Sequence, residues 1–173
     1  APSDSRSAED VFLTTLFQAN DQESYVVMLI GSMSGNPPLG FKIYGPAKEI
    51  TDEPTNVGLL FFHGAIDLPQ LDIQTCNSLL YNNVNYGEFA GYLEVPAKAV
   101  YVLQFTPSRD NTVKLASYDD NLSFWQGKTA VLFTRSTPNA SFSSEFELWA
   151  ALSNGSTFAI PRHENDIDES GNQ

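Results

Sequence analysis

Short apolar runs, separated by clusters of polar, glycine and proline residues, recur along most of the chain. Each run has the length of a β-strand, and turn signals return every 8–12 residues or so, a spacing typical of sandwiches and barrels. The runs that predict strands are 25–30, 39–44, 58–62, 71–74, 89–95, 99–106, 113–118, 130–134 and 146–152. Residues 96–98, Pro-Ala-Lys, predict a short hairpin connection between two of them.

The stretch 9–19 is the one segment whose apolar residues stand close to helical spacing. Its adjacent threonines, Thr14 and Thr15, favour a strand because β-branched side chains fit a pleated sheet better than a helix. We therefore expect a strand over residues 11–18, which makes the predicted fold all-β.

Residues 16–44 and 122–152 follow the same order of features: an apolar pair, a polar turn, a dense apolar strand, a loop of small and polar residues, and a second apolar strand. The later copy follows strand-like sequence over 57–121, whereas the earlier copy has a lead of 15 residues. The sequence therefore predicts one complete β unit and the closing part of another. Because a part-unit cannot bury its apolar face alone, the complete unit, an upstream segment or another subunit must cover it.

The pattern divides the chain into five segments, which are a flexible lead (1–10), a partial β repeat (11–47), a linker (48–56), a complete sandwich repeat (57–161) and a polar, acidic tail (162–173). The linker prediction rests on the polar sequence KEITDEPTN and its proline, Pro54.

The charge balance restricts the partners. The chain carries a formal net charge of −12, which argues against nucleic acid and anionic membranes, since both attract positive surfaces. No apolar run approaches the length of a membrane span, about 18 residues or more. A start at Ala1 with polar ends is typical of a processed, secreted or cell-surface protein, and a trimmed fragment gives the same pattern. Cys76 is the sole cysteine, and in an exported protein such a thiol is either buried, here within a strand, or paired with another chain; burial is the expectation.

Three blocks of sequence resemble one known family. They are LLFFHGAIDLPQLDI (59–73), NVNYGEFAGYLEVPAKAVYVLQFTP (83–107) and LSFWQGKTAVLFT (122–134). Together they resemble the DUF4397 family of exported β-sandwich repeats. The matching positions are His63, Asp67, Pro69, Asp72, Tyr86, Gly87, Gly91, Tyr92, Pro96, Ala97, Gly127 and Lys128.

Residues 16–44 are similar to the closing strands of a preceding repeat of that family, whereas Thr129-Ala130 departs from it by standing where an aromatic residue is usual. The resemblance implies an immunoglobulin-like antiparallel sandwich outside the cytoplasm, which the N-terminal strands could enlarge, with no known catalysis. Fold alone does not transfer a function.

His63 and Asp67 invite a catalytic interpretation, in which a carboxylate orients a histidine. A hydrolase also needs a nucleophile in a strained turn or a bound metal, and the sequence has no Gly-x-Ser-x-Gly motif. We therefore expect no enzyme activity. We expect His63 to end a strand and to hydrogen-bond the backbone or Asp67, which would fix a loop that Pro69 stiffens.

Calcium is the one cofactor that the sequence permits, and the expectation is that none is bound. Its candidate ligands are Asp67, Asp72, Asp119 and Asp120. Because Asp119 and Asp120 are adjacent, a strand would turn them to opposite sides, and calcium needs about six to eight oxygen ligands. Residues 166–171 match the first half of a calcium loop, but the bidentate acid that would close it is absent from the sequence.

Aromatic side chains raise the alternative of a sugar-binding surface. Phe124 and Trp125 are adjacent, so a strand would turn one of them outward, and Trp125 is the candidate ligand-stacking residue. Loops 63–70, 107–112 and 136–144 would carry such a site at one end of a sandwich.

The expected function is that of a non-catalytic extracellular structural protein. Its N-terminal strand would complete the sheet of a neighbouring copy, which would make a homo-oligomer, a surface filament or a layer. The predicted assembly residues are Val11, Phe12, Leu13, Leu16 and Phe17. One alternative is an adhesin-like or carbohydrate-binding module, and another is that residues 11–45 add strands to their own complete unit.

Overall fold

The computed structural model describes residues 6, 7, 11, 13–33, 35–76, 78–98, 100–136 and 146–163. The chain divides at residues 47 and 48 into an N-terminal unit and a C-terminal unit, each compact by itself.

The N-terminal unit is built on one β-hairpin. Strands β1 (Ser24–Ile30) and β2 (Gly40–Ala47) pair antiparallel and form a two-stranded sheet. The strand expected over 11–18 is absent, since Val11 and residues 13–18 have no regular secondary structure. An extended segment becomes a stable strand when a neighbour accepts its backbone hydrogen bonds, and no strand lies beside this one in the described residues. Phe12 lies outside the described residues.

The C-terminal unit is an immunoglobulin-like β-sandwich, as the sequence predicts. Its strands are β3 (Asn56–Gly64), β4 (Leu71–Thr75), β5 (Ser78–Val84), β6 (Phe89–Pro96), β7 (Tyr101–Pro107), β8 (Ala116–Asp120), β9 (Thr129–Ser136), β10 (Phe146–Leu152) and β11 (Thr157–Ala159). They form a five-stranded sheet in the order β11-β10-β9-β3-β6 and a four-stranded sheet in the order β5-β4-β7-β8. All neighbours pair antiparallel except β3 and β9, which run parallel. A 3-10 helix (Leu122–Trp125) joins β8 to β9.

The chain leaves the five-stranded sheet after Pro96 and enters the four-stranded sheet at Tyr101. The predicted hairpin at 96–98 is therefore wrong, because β6 belongs to the five-stranded sheet and β7 to the four-stranded one. The connection has the sequence signature of a tight turn, and such a turn leads either to a neighbouring strand or across the core. Gly91 has a φ of +81° at an irregularity in β6, as expected for a glycine that serves backbone geometry.

The core lies between the two sheets and is rich in aromatic rings. Phe105 of β7 packs against Phe61 of β3 and Phe146 of β10, with ring centroids 6.0 and 5.4 Å apart. The buried hydroxyl of Tyr81 in β5 donates a 2.6 Å hydrogen bond to the backbone carbonyl of Leu59 in β3. These ring contacts and this hydrogen bond join the two sheets.

The segment predicted as a linker, 48–56, is hydrogen-bonded within the C-terminal unit. The backbone N–H of Thr51 donates to the carbonyl of Gly127, and that of Thr129 donates to the carbonyl of Glu49. The carboxylate of Glu94 accepts from the backbone N–H of Asp52 at 2.6 Å, and β3 begins at Asn56. The segment thus forms part of this unit.

Candidate functional site

A cleft opens where three connections meet at one end of the sandwich. Its volume is about 440 Å³, and it is lined by Pro69, Gln70, Asn85, Pro107 and Arg109. The first two residues precede β4, Asn85 follows β5, and the last two lie at and after the end of β7. Two of the loops that the sequence marks for binding, 63–70 and 107–112, therefore meet here.

Asp72 holds the strands behind this cleft together. Its Oδ1 accepts hydrogen bonds from the backbone N–H of Asn83, at 2.8 Å, and from the hydroxyl of Ser108, at 2.5 Å. The side chain is 8% exposed. This predicted calcium ligand is thus an acceptor that positions the ends of β4, β5 and β7.

His63 fixes the loop that begins the cleft, as the sequence predicts. Its Nε2 lies 2.9 Å from the carbonyl oxygen of Pro69, and its Nδ1 lies 3.3 Å from the hydroxyl of Thr134. Because a carbonyl can only accept, the proton resides on Nε2, and Nδ1 accepts from Thr134. Burial lowers the pKa of His63, and the bond to Pro69 opposes that shift in part. Asp67 is exposed, so the carbonyl and not the carboxylate orients the ring.

The two adjacent aspartates of β8 do face opposite ways. Asp119 Oδ1 lies 2.7 Å from Nδ1 of His163, at the surface. Asp120 is 2% exposed, and its Oδ2 has no hydrogen-bond partner among the described residues. Burial raises the pKa of Asp120 to about 7. Within the described part of the chain, no three histidine, cysteine, aspartate or glutamate side chains are grouped as a metal ion would need.

Trp125 lies in the core and cannot stack on a ligand. It is 6% exposed, and its ring centroid is 5.5 Å from that of Phe158. Phe124 is the neighbour that faces outward, with 77% of its surface exposed. The expectation for Trp125 fails because this segment is a 3-10 helix rather than a strand, so alternation does not decide which ring is buried.

The predicted assembly residues lie in a segment that buries little of its apolar surface. Leu16 is 95% exposed, Phe17 48% and Val11 47%, while Leu13 is half-buried. Phe17 makes an edge contact with the ring of Tyr25, with centroids 5.5 Å apart. No described residue of the N-terminal unit is buried.

One face of the β1–β2 hairpin is an exposed apolar surface. Leu29 pairs with Phe41, and Val27 pairs with Ile43, so these four side chains share a face. Leu29 is 56% exposed, Val27 47% and Phe41 36%. We call this the hairpin face.

Two features differ from the sequence-based predictions or escaped them. Cys76 is exposed, because it lies in the turn between β4 and β5 and not within a strand. Arg109 is not among the site residues predicted from the sequence. Its position as a basic residue in a predicted loop, directly after a strand, is a signal that could have identified it. Among the described residues, the side chain of Arg109 has no hydrogen-bond or ion-pair partner.

Comparison with known proteins adds no identification, since no family model, no curated protein and no solved structure matches this chain. The resemblance to the DUF4397 family therefore stays a prediction. Among the described residues, no helix is long and apolar enough to cross a membrane.

Proposed function

We propose that the protein is a non-catalytic structural subunit that binds a second copy of itself through residues 11–47. The observation that carries this proposal is the lack of any buried residue in the described part of the N-terminal unit, although β1 reads SYVVMLI. An isolated two-stranded hairpin is at best marginally stable in water. Burial of the hairpin face against a partner supplies the missing stabilisation.

The internal repeat indicates which position is vacant. β1 and β2 correspond to β9 and β10, and in both pairs nine residues separate the strands. The second edge of β9 is occupied by β3, which runs parallel to it over seven residue pairs. In the described residues β1 pairs with β2 alone. A segment that runs parallel to β1 would complete the same arrangement.

The lead segment 11–17 is the donor that fits this position. It is largely apolar, and Val11 and Leu13 repeat the spacing of Val57 and Leu59 in β3. The lead cannot pair in parallel with its own β1, because six residues, 18–23, separate the two, whereas a parallel crossover needs a dozen or more. The parallel acceptor must therefore be the β1 of another copy.

The distribution of charge favours a second copy as the partner. The whole chain carries −12, so two copies repel each other over most of their surfaces. Residues 11–20 carry no charge, Asp21 and Glu23 lie in the turn before β1, and residues 24–47 carry one charge, Lys42. Contact through these segments brings two acidic chains together at their least charged part. Lead-to-β1 pairing is head-to-tail, which extends into a filament or closes into a ring.

Sedimentation velocity and negative-stain electron microscopy of the full chain test this proposal. Leu16→Asp places a charge in the pairing segment, and Phe124→Asp is the matched control on the sandwich, since both side chains are highly exposed. We expect concentration-dependent fibres or rings for the parent chain and for Phe124→Asp, and monomers for Leu16→Asp. Hydrogen exchange should slow in residues 11–17 and 24–30 on assembly.

Three outcomes would reject the proposal. A parent chain that stays monomeric at high concentration removes its basis. Assembly of Leu16→Asp equal to that of the control shows that the lead does not pair. An assembly in which hydrogen exchange of residues 11–17 is not slowed shows that the copies bind through another surface. The alternative of a glycan-binding surface on Trp125 loses its support, because that side chain is buried.

A further inference from the structure

The described residues that line the cleft at the loop end of the sandwich all belong to the C-terminal unit. The shape of the cleft is held by hydrogen bonds between the connections that form it. The backbone N–H of Ser108 donates to the carbonyl of Gln70 at 2.9 Å, and Asp72 binds both Ser108 and Asn83. Such cross-links form the site before a ligand arrives, which reduces the entropy lost on binding.

Arg109 lines the cleft, and among the described residues its side chain has no hydrogen-bond or ion-pair partner. The neighbouring Asp110 is engaged elsewhere, since its Oδ1 accepts from the backbone N–H and the hydroxyl of Thr112 at 3.1 and 2.5 Å. These bonds lower the pKa of Asp110. Glu88 is also engaged, because its Oε2 accepts from the backbone and side-chain nitrogens of Asn85. A guanidinium that lines a cleft is suited to a planar carboxylate, which it binds with two parallel hydrogen bonds.

The orientation of Gln70 specifies a second contact. Its Nε2 donates to the carbonyl of Asn83 and to Oδ1 of Asn85, both at 3.1 Å, which uses both amide hydrogens. The Oε1 atom of Gln70 is therefore the group that this side chain offers to a ligand, and it accepts a hydrogen bond. A ligand that fits has a hydroxyl or another donor near its carboxylate.

We propose that this cleft binds a sugar carboxylate, a uronic-acid unit in which Arg109 holds the carboxylate and Gln70 accepts from a hydroxyl. The sugar ring would pack against Pro69 and Pro107, the two apolar residues of the lining. A volume of about 440 Å³ exceeds that of one such unit and is within the usual range for small-ligand sites, about 300–1,000 Å³.

Isothermal titration of the full chain with glucuronate, glucose and acetate tests the chemistry. We expect glucuronate to bind, with an affinity that falls as salt is added, and glucose and acetate to bind at least about tenfold more weakly, since each lacks one of the two contacts. Acetate that binds as tightly as glucuronate would show a simple anion site, and glucose that binds as tightly would remove the role of Arg109. Absence of glucuronate binding at tens of millimolar overturns the proposal.

Substitutions at Arg109 test the position. Arg109→Ala should weaken glucuronate binding by about tenfold or more, and Arg109→Lys should restore part of it, because lysine keeps the charge without the fork. Lys128→Ala is the matched control: it removes one exposed charge just before β9, at the far end of the five-stranded sheet. Unchanged chemical shifts of the core in each variant would show that the fold is kept. An equal loss in the control and in Arg109→Ala would reject the cleft as the site.

Discussion

The hydroxyl of Tyr118 in β8 donates a 2.5 Å hydrogen bond to the backbone carbonyl of Phe146 in β10. The two strands belong to opposite sheets, and both residues are almost fully buried. Their rings also pack, with centroids 5.6 Å apart. This pair therefore joins the two layers of the sandwich by a polar bond inside an apolar core.

Removing that bond should destabilise the sandwich. Tyr118→Phe keeps the ring and deletes the donor, and we expect the free energy of unfolding to fall by about 1–3 kcal/mol because a buried carbonyl loses a partner. Tyr101→Phe is the control, since the Tyr101 hydroxyl bonds to the Pro96 carbonyl at an exposed position. Urea unfolding followed by tryptophan fluorescence measures both. Equal losses of unfolding free energy in the two variants would show that the buried cross-sheet hydrogen bond stabilises the protein no more than the exposed one.

Asp120 should make the protein less stable as pH rises. Its pKa is raised from 3.8 to about 7 by burial, so the folded chain keeps a proton that the unfolded chain has released between those values. The contribution is full below about pH 3.8 and is lost as pH rises through 7. Asp120→Asn, which cannot ionise, should exceed the parent in stability by roughly 2–4 kcal/mol at pH 8, because each tenfold change in proton affinity corresponds to about 1.4 kcal/mol.

The pH profile distinguishes this effect from a simple change in packing. The two proteins should have nearly the same stability at pH 4, and the difference should grow between pH 4 and 7. A difference that is constant with pH would mean that Asp120 does not titrate as its burial indicates.

His63 should have the opposite dependence. Burial lowers its pKa below the ordinary value of 6.5, so the unfolded chain takes up a proton that the folded chain refuses. Stability from this residue is present above pH 6.5 and falls as pH drops through the folded pKa. His63→Gln can still donate a hydrogen bond to the carbonyl of Pro69 but does not titrate. It should therefore abolish the part of the fall in stability at acidic pH that His63 causes. His163→Gln is the control and should retain this fall in stability. If stability depends on pH in His63→Gln as it does in the parent, His63 is not its source.

Cys76 should react in the folded protein. Its thiol is exposed in the β4–β5 turn, so a disulfide reagent such as dithiobis(nitrobenzoate) should modify it without denaturant. We expect one equivalent of released thiolate from the parent chain and none from Cys76→Ser. Reaction in denaturant alone would place the thiol in the interior, as expected from the sequence.

The strands with dense apolar runs were predictable, and two weak strands were not. β5 contains Asn82 and Asn83, which are poor strand formers, and Asn83 has a φ of 56°. β11 has three residues and no alternation to detect. Both strands depend on pairing with a neighbour rather than on their own sequence.

The contacts of the cleft were less predictable than its loops. The sequence marks 63–70 and 107–112 as loops, but it does not indicate that Gln70 uses both amide hydrogens or that Asp110 is engaged by Thr112 and leaves Arg109 without a partner. The contacts of Gln70 are tertiary, since they join positions 13 and 15 residues apart in the chain, whereas the bond between Asp110 and Thr112 is local and depends on the conformation of the loop. Burial of Trp125 is of the same kind, because it depends on a 3-10 turn that periodicity does not identify.

The parallel pairing of β3 and β9 also has a consequence for the order in which the chain is made. β3 is buried from Val57 to His63, and 64 residues lie between its end and the start of β9. During synthesis the antiparallel neighbour β6 emerges soon after β3. The other edge of β3 stays unpaired until β9 has emerged. Nascent chains that stop before Thr129 should therefore aggregate or recruit chaperones, because an open apolar edge accepts strands from other molecules.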